Sequence, residues 1–164
     1  SRTLNRLASQ VLESVADSRE LLLLGIPTRG LALAQVLAAR LEVLCGHPVD
    51  QGSLDPTFHR DDLDRVGTRL SAPTELPTAV DGREVVLVDD VIFTGRTVRA
   101  ALEALQAWGR PHRVTLLAMV DRGHRELPIA ADFVGMVAKT GAKDRISVRL
   151  TETGAPRDEI LLVR

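Results

Sequence analysis

Apolar positions along this 164-residue chain follow two rhythms. Leu4, Leu7, Val11 and Val15 recur at three- and four-residue spacing, which predicts a helix with one buried face. Residues 21–26 are instead an apolar run broken only by Gly25, short enough for a strand covered on both faces, as in a parallel sheet. Pro27-Thr28-Arg29-Gly30 stops that run. Leu33, Val36, Leu37 and Leu41 restore the helical rhythm until Gly46-His47-Pro48 ends it. Residues 49–60 read as an extended segment anchored by Leu54 and Phe58. Residues 61–84 carry Gly67, Pro73, Pro77, Gly82 and several charges with little periodicity, and an irregular stretch of that length in a compact domain is usually functional.

The clearest unit follows. Val85 to Val88 predicts a buried strand, residues 89–97 its exit loop, and Val98, Ala101, Leu102 and Leu105 the inner face of a helix ending near Gly109. Trp108 is expected to pack that helix end. Residues 114–120 predict the next strand, and further strands are expected at 133–137, 146–150 and 160–163. A strand, loop, helix and strand in this order favour a parallel sheet with a right-handed crossover. The expectation is an α/β fold in one domain spanning 1–164.

Composition narrows the classes. The chain is 45% hydrophobic and 26% charged, ordinary for a soluble globule. No run of 18 apolar residues predicts a membrane span, and Arg2, Asn5 and Arg6 interrupt any apolar leader. Cys45 is the one cysteine, which excludes an internal disulfide and a multi-cysteine zinc site. A reducing cytoplasm is the expected compartment. The net charge of −1 is a sum of unlike parts. Residues 50–90 hold ten Asp or Glu against four Lys or Arg, whereas residues 110–149 hold eight basic against four acidic residues. The second segment, with Arg110, Arg113, Lys139, Lys143, Arg145 and Arg149, predicts a basic face. One Trp, three Phe and no Tyr leave little for base stacking, so any RNA recognition would rest on phosphate contacts and hydrogen bonds.

In open α/β sheets ligands bind outside the carboxyl ends of the strands, and three loops leave strands there: 27–30, 89–97 and 121–128. Asp89 and Asp90 suit a ligand's hydroxyls or a nearby cation, and a vicinal diol such as that of ribose offers two donors at matching spacing. Thr94-Gly95-Arg96-Thr97 opens a helix, where two hydroxyls and free N–H groups form an anion cup. Together they match the two ends of a ribose 5-phosphate. Taken singly, the acids also fit a solvated loop or the paired acids of a signalling receiver domain, and Thr97 also fits a plain helix cap.

The string from Val85 to Thr97 closely resembles the phosphoribosyl-diphosphate signature of type I phosphoribosyltransferases: a hydrophobic strand, two acids, hydrophobic residues, then Thr-Gly-x-Thr. Gly25 to Gly30, Arg60-Asp61-Asp62-Leu63 and Val120 to Pro128 resemble one branch, the bacterial pyrimidine-operon attenuation regulators that are also uracil phosphoribosyltransferases. The resemblance implies a mainly parallel sheet flanked by helices, with a small hood over the base site. It implies transfer of phosphoribosyl to uracil, giving UMP and diphosphate. In that reading Asp89 and Asp90 hold the ribose hydroxyls, Val91, Ile92 and Phe93 continue the substrate-binding string, and Thr94, Gly95, Arg96 and Thr97 cradle the 5-phosphate. Thr28 and Arg29 meet the pyrophosphate, whose charge is partly neutralised by the Mg2+ that phosphoribosyl diphosphate carries. Arg69 lies in the stretch matching a flexible catalytic loop, and Arg122 and Ile146 lie where the branch contacts nucleotide or base. Related loops imply special backbone geometry at 27–30, with a cis peptide before Arg29.

The resemblance further implies UMP-responsive capture of a leader-RNA hairpin, with Arg6, His124 and Arg125 on the RNA side, and a homodimer or larger homo-oligomer. Three departures fall on that side. Ser9 stands where the branch has His, residues 136–141 read Met-Val-Ala-Lys-Thr-Gly, and Ala130 stands where Arg is frequent. Two alternatives accompany this reading: a nucleotide-sensing RNA regulator with little enzyme activity, and a transferase for another base.

Overall fold

The computed structural model describes residues 2–61, 73–151 and 154–163. The two hydrophobic rhythms become two kinds of element. Helical spacing gives α1 (Arg2–Ser14), α2 (Arg29–Cys45) and α3 (Arg96–Gln106). The apolar runs give β1 (Leu21–Gly25), β2 (Asp50–Ser53), β3 (Glu84–Ile92), β4 (Arg113–Asp121) and β5 (Phe133–Val137), followed by β6 (Arg145–Arg149) and β7 (Glu159–Val163). Single 3-10 turns occupy Ser18–Glu20 and Thr57–His59.

The first five strands form one sheet in the order β2-β1-β3-β4-β5, every pair parallel. β6 and β7 form a separate antiparallel pair. Side chains of a strand alternate between faces, and the central strands bury both. Leu21, Leu23, Val86 and Val88 join α1 and α2 in one cluster, together with Val148 and Leu150 from the β6 region. Leu22, Leu24, Val85 and Leu87 pack with Val98, Ala101 and Leu105 of α3 in the other. Each fully buried Leu or Val contributes roughly 1.5–3 kcal/mol of transfer free energy, which is why the unbroken runs settle at the centre of a sheet.

Two glycines set how closely α2 lies on the sheet. A Cβ on Gly30 would stand 2.3 Å from the Val88 carbonyl oxygen, and one on Gly25 would stand 2.3 Å from the Cα of Leu31. At its far end α2 stops at Gly46, whose φ of 77° suits glycine and whose N–H donates to the Glu42 carbonyl.

Several expectations change. β3 does not end at Val88: it continues through Asp89 to Ile92 because β4 goes on pairing with it, Asp89 opposite Ala118 and Ile92 opposite Asp121. Phe58 is no anchor. It lies on the outward side of a 3-10 turn and is 83% exposed, while Leu54 is fully buried as expected. Leu102 falls at the rim of the α3 stripe, where Ala100, Ala101 and Ala104 seat the helix on the sheet, and it faces solvent, as half of Trp108 does. Among the described residues no helix is long and apolar enough to cross a membrane.

Candidate active site

Strand register creates the site. β1 pairs with β3 only as far as Gly25 opposite Val88, and the last tie is the Ile26 N–H donating to the Val88 carbonyl at 2.9 Å. On its other edge β3 pairs with β4 up to Ile92. Residues 89–92 therefore extend past β1, opening a crevice between β1 and β3 where the strand order reverses, the place where such sheets bind ligands. The N-termini of α2 and α3 flank this crevice from opposite faces.

The two acids meet different partners. The Asp90 Oδ2 lies 3.7 Å from the Arg29 guanidinium at the start of α2. Asp89 is buried. Its Oδ1 accepts the Asp90 N–H at 2.9 Å. Burial, reinforced by the charge of Asp90, holds the Asp89 carboxyl well above the usual carboxylate range, while the backbone bond and the positive charge of Arg60 act in the opposite direction. The acids thus share one strand rather than an exit loop.

The loop between β3 and α3 is only Phe93-Thr94-Gly95. Gly95 takes φ 92°, a left-handed conformation that favours glycine, and Thr94 Oγ1 accepts the Arg96 N–H at 3.3 Å. Thr94 O accepts the N–H groups of Glu126 at 3.0 Å and Leu127 at 3.3 Å, which ties the cup to the loop after β4. The Arg96 guanidinium lies between Glu126 (2.7 Å) and Asp61 (2.8 Å). Thr97 Oγ1 accepts from Arg60 Nη1 at 2.7 Å.

Phe93 joins the cup to the third loop. Arg122 is buried, with its guanidinium carbon 4.1 Å from the Phe93 ring centroid, a cation–π distance. It donates to Thr140 Oγ1 at 3.1 Å and to the Gly141 carbonyl at 2.7 Å. His124, at φ 59°, meets the Phe93 ring edge-on and places Nε2 2.6 Å from the Thr140 carbonyl. Arg125 donates to the carbonyls of Phe93 and Ile129, both at 2.8 Å, and to Asp121 at 2.7 Å. Ile146 of β6 is half-buried and, with Met119, Thr140, Val148 and Leu162, lines a cavity of about 460 Å³.

The fold brings Thr28, Arg29, residues 89–97 and Arg122 to one end of the sheet, with Ile146 linked through the 139–141 turn. Thr28 and Arg29 are exposed there. The cis peptide is Pro27-Thr28, one bond before the expected position. Arg6 is elsewhere: it clips α1 to β5 by donating to the carbonyls of Val134 at 3.3 Å and Gly135 at 2.6 Å. Arg69 lies outside the described residues. The expected basic face is divided. Arg113 opens β4 and pairs with Glu84 at 2.8 Å, whereas Arg122 follows the end of that strand, about 30 Å away at the usual rise of a strand.

Sequence reasoning assigned no role to Arg60, Asp61, Glu126 or Thr140, although Arg60 and Asp61 stood in a family-like string. That string, with three charged residues in a row, was the available signal.

Residues 1–149 match the phosphoribosyl transferase domain family. The chain is 51% identical over 163 residues to the bifunctional protein PyrR of Synechocystis sp., covering 99% of this chain and 91% of that protein. It is 49% identical to the bifunctional protein PyrR of Streptomyces coelicolor, covering 99% and 84%. Among solved structures, the hypoxanthine phosphoribosyltransferase of Trypanosoma cruzi superposes with a TM-score of 0.72 over 99% of this chain and 90% of that one, at 14% identity. One from Staphylococcus aureus gives 0.66 over 85% and 73%, at 16% identity. At such identities the likeness is one of fold.

Proposed function

The chain belongs to the phosphoribosyltransferase family and, within it, to the bifunctional PyrR proteins, and from that premise we propose that it is a uracil phosphoribosyltransferase that also captures leader RNA in response to UMP. One observation carries the enzymatic half: β3 outruns β1, so that Asp89 and Asp90 edge the same crevice as the α3 cup, separated from it by one three-residue loop.

Phosphoribosyl diphosphate fits this crevice in one direction. The 5-phosphate enters the cup, where the N–H groups of the first α3 turn and the hydroxyls of Thr94 and Thr97 donate to it. The ribose hydroxyls then lie over Asp89 and Asp90. The leaving diphosphate extends toward the α2 N-terminus, where Thr28 and Arg29 are exposed. Oxygen donors from one or two carboxylates plus substrate phosphates suit Mg2+. In this reading Mg2+ would enter with the diphosphate and neutralise part of the leaving group's charge.

As the bond to diphosphate breaks, positive charge develops on the ribose. Asp90, on the more open side, answers it electrostatically while both acids fix the sugar's orientation. Arg29 meets the departing negative charge. Phe93, clamped by Arg122, and Ile146, on the β6–β7 hood, border the space left for the base. Arg69 would add a further cation to the leaving group. Turnover of uracil with phosphoribosyl diphosphate and Mg2+ tests this, with Asp90→Asn as the control. Turnover of hypoxanthine in place of uracil would reassign the base.

The regulatory half places RNA on the His124 side. Arg6, Arg125 and His124 are all engaged with backbone carbonyls, so the exposed Lys139, Lys143 and Arg145 carry the phosphate contacts. A gel shift with a pyrimidine-operon leader should strengthen with UMP and weaken with salt, and indifference to UMP would count against attenuation. Exposed Met136, Val137, Leu162 and Val163 support a homodimer or larger homo-oligomer, which sedimentation tests.

A further inference from the structure

We propose that Arg60, which lies outside the phosphoribosyl-diphosphate motif, is a direct ligand of the substrate's 5-phosphate. The proposal deepens the phosphoribosyl reading and rests on it. Arg60 follows the Thr57–His59 turn, which is fastened to α3: Arg99 donates to the His59 carbonyl at 2.6 Å, and the His59 ring lies 3.6 Å from Glu103. This mounting directs the Arg60 guanidinium to the first turn of α3, where it donates to Thr97 Oγ1 at 2.7 Å. Its charge also reaches the Asp89 carboxyl. Arg60 therefore stands at the cup threonine, with its charge felt at the inner acid.

The motif's own arginine does not fill this role. Arg96 lends the cup its N–H, but its guanidinium is held by two carboxylates, Glu126 and Asp61, at 2.7 and 2.8 Å. A dianionic phosphate accepting the Thr97 hydroxyl would come within reach of the guanidinium already bonded to that oxygen. The planar fork of an arginine matches two phosphate oxygens. The cation of the cup is thus supplied from 37 residues away in sequence, by the chain segment just before the irregular stretch.

Calorimetric binding of UMP and of uridine to the full chain and to Arg60→Gln separates a phosphate contact from a structural one, since the two ligands differ only in the phosphate. Expected is a loss of about tenfold to a hundredfold in UMP affinity with uridine binding unchanged. In turnover, KM for phosphoribosyl diphosphate should rise while kcat changes little. Arg60→Lys, which keeps the charge without the fork, should recover part of the loss and serves as the test if the Gln variant does not fold. Equal losses for UMP and uridine, or UMP affinity unchanged in both variants, overturn the proposal. A wild-type chain that binds neither UMP nor phosphoribosyl diphosphate overturns the underlying reading instead.

Discussion

Asp89 and Asp90 are one peptide bond apart and occupy different electrostatic worlds. Asp89 is buried, its carboxyl raised by desolvation and by its neighbour's charge. Asp90 is more open, with the exposed Arg29 at 3.7 Å. On the proposed function, the two ribose hydroxyls would meet one buried carboxyl and one that lies beside a guanidinium.

The largest effect that could break this comparison is catalytic. Asp90→Asn should lower kcat/KM by about 10²–10³, the cost of removing one preorganised electrostatic group, whereas Asp89→Asn, which keeps an acceptor oxygen at the buried position, should cost about tenfold. Equal losses in steady-state kinetics would erase the distinction between the two acids. Next comes the spacing of the α2 face. A methyl at Gly30 meets the Val88 carbonyl, so Gly30→Ala should destabilise by about 1–3 kcal/mol in urea unfolding and raise KM for phosphoribosyl diphosphate by displacing Arg29.

A smaller effect concerns pH. A carboxyl raised in the folded state binds its proton more tightly folded than unfolded. Stability therefore falls as pH climbs from the ordinary value of 3.8 to the raised folded value, and above that the whole penalty stands. Asp89→Asn removes the penalty. Its thermal midpoint should exceed wild type by a few degrees at neutral pH, the gain shrinking to nothing as pH is lowered toward 4. A gain independent of pH would show that Asp89 is not the group responsible. The smallest effect is at the open end: Arg29→Gln should change the stability of the ligand-free protein by less than about 0.5 kcal/mol, because an exposed pair at that distance is screened.

The sequence displayed much of this architecture because the signals were local. Four apolar runs became the inner strands and their neighbour β5, Gly46 closed α2, and the Thr-Gly-Arg-Thr string opened α3. What stayed hidden needed partners distant in the chain. Two consecutive aspartates do not read as strand, yet β4 holds them in one. Phe58 read as an anchor because a lone aromatic in a polar stretch has no periodicity to say which way it turns. The basic run from 110 to 149 read as one face because sequence does not show that it passes along a whole strand. Arg60 stood beside a recognisable string, but only the packing of its turn on α3 shows what it touches.

Phe93 carries a mechanical consequence. One face of its ring bears Arg122, its edge bears His124 and its carbonyl holds Arg125, while Arg122 and His124 both grip the Thr140 turn. A residue inside the ligand-binding string is thereby geared to three side chains of the following loop and, through them, to the turn that leads into the hood. Any displacement of Phe93 on filling the crevice must be shared by that train. On the proposed function, that train would connect the crevice to the surface around His124 and Lys139.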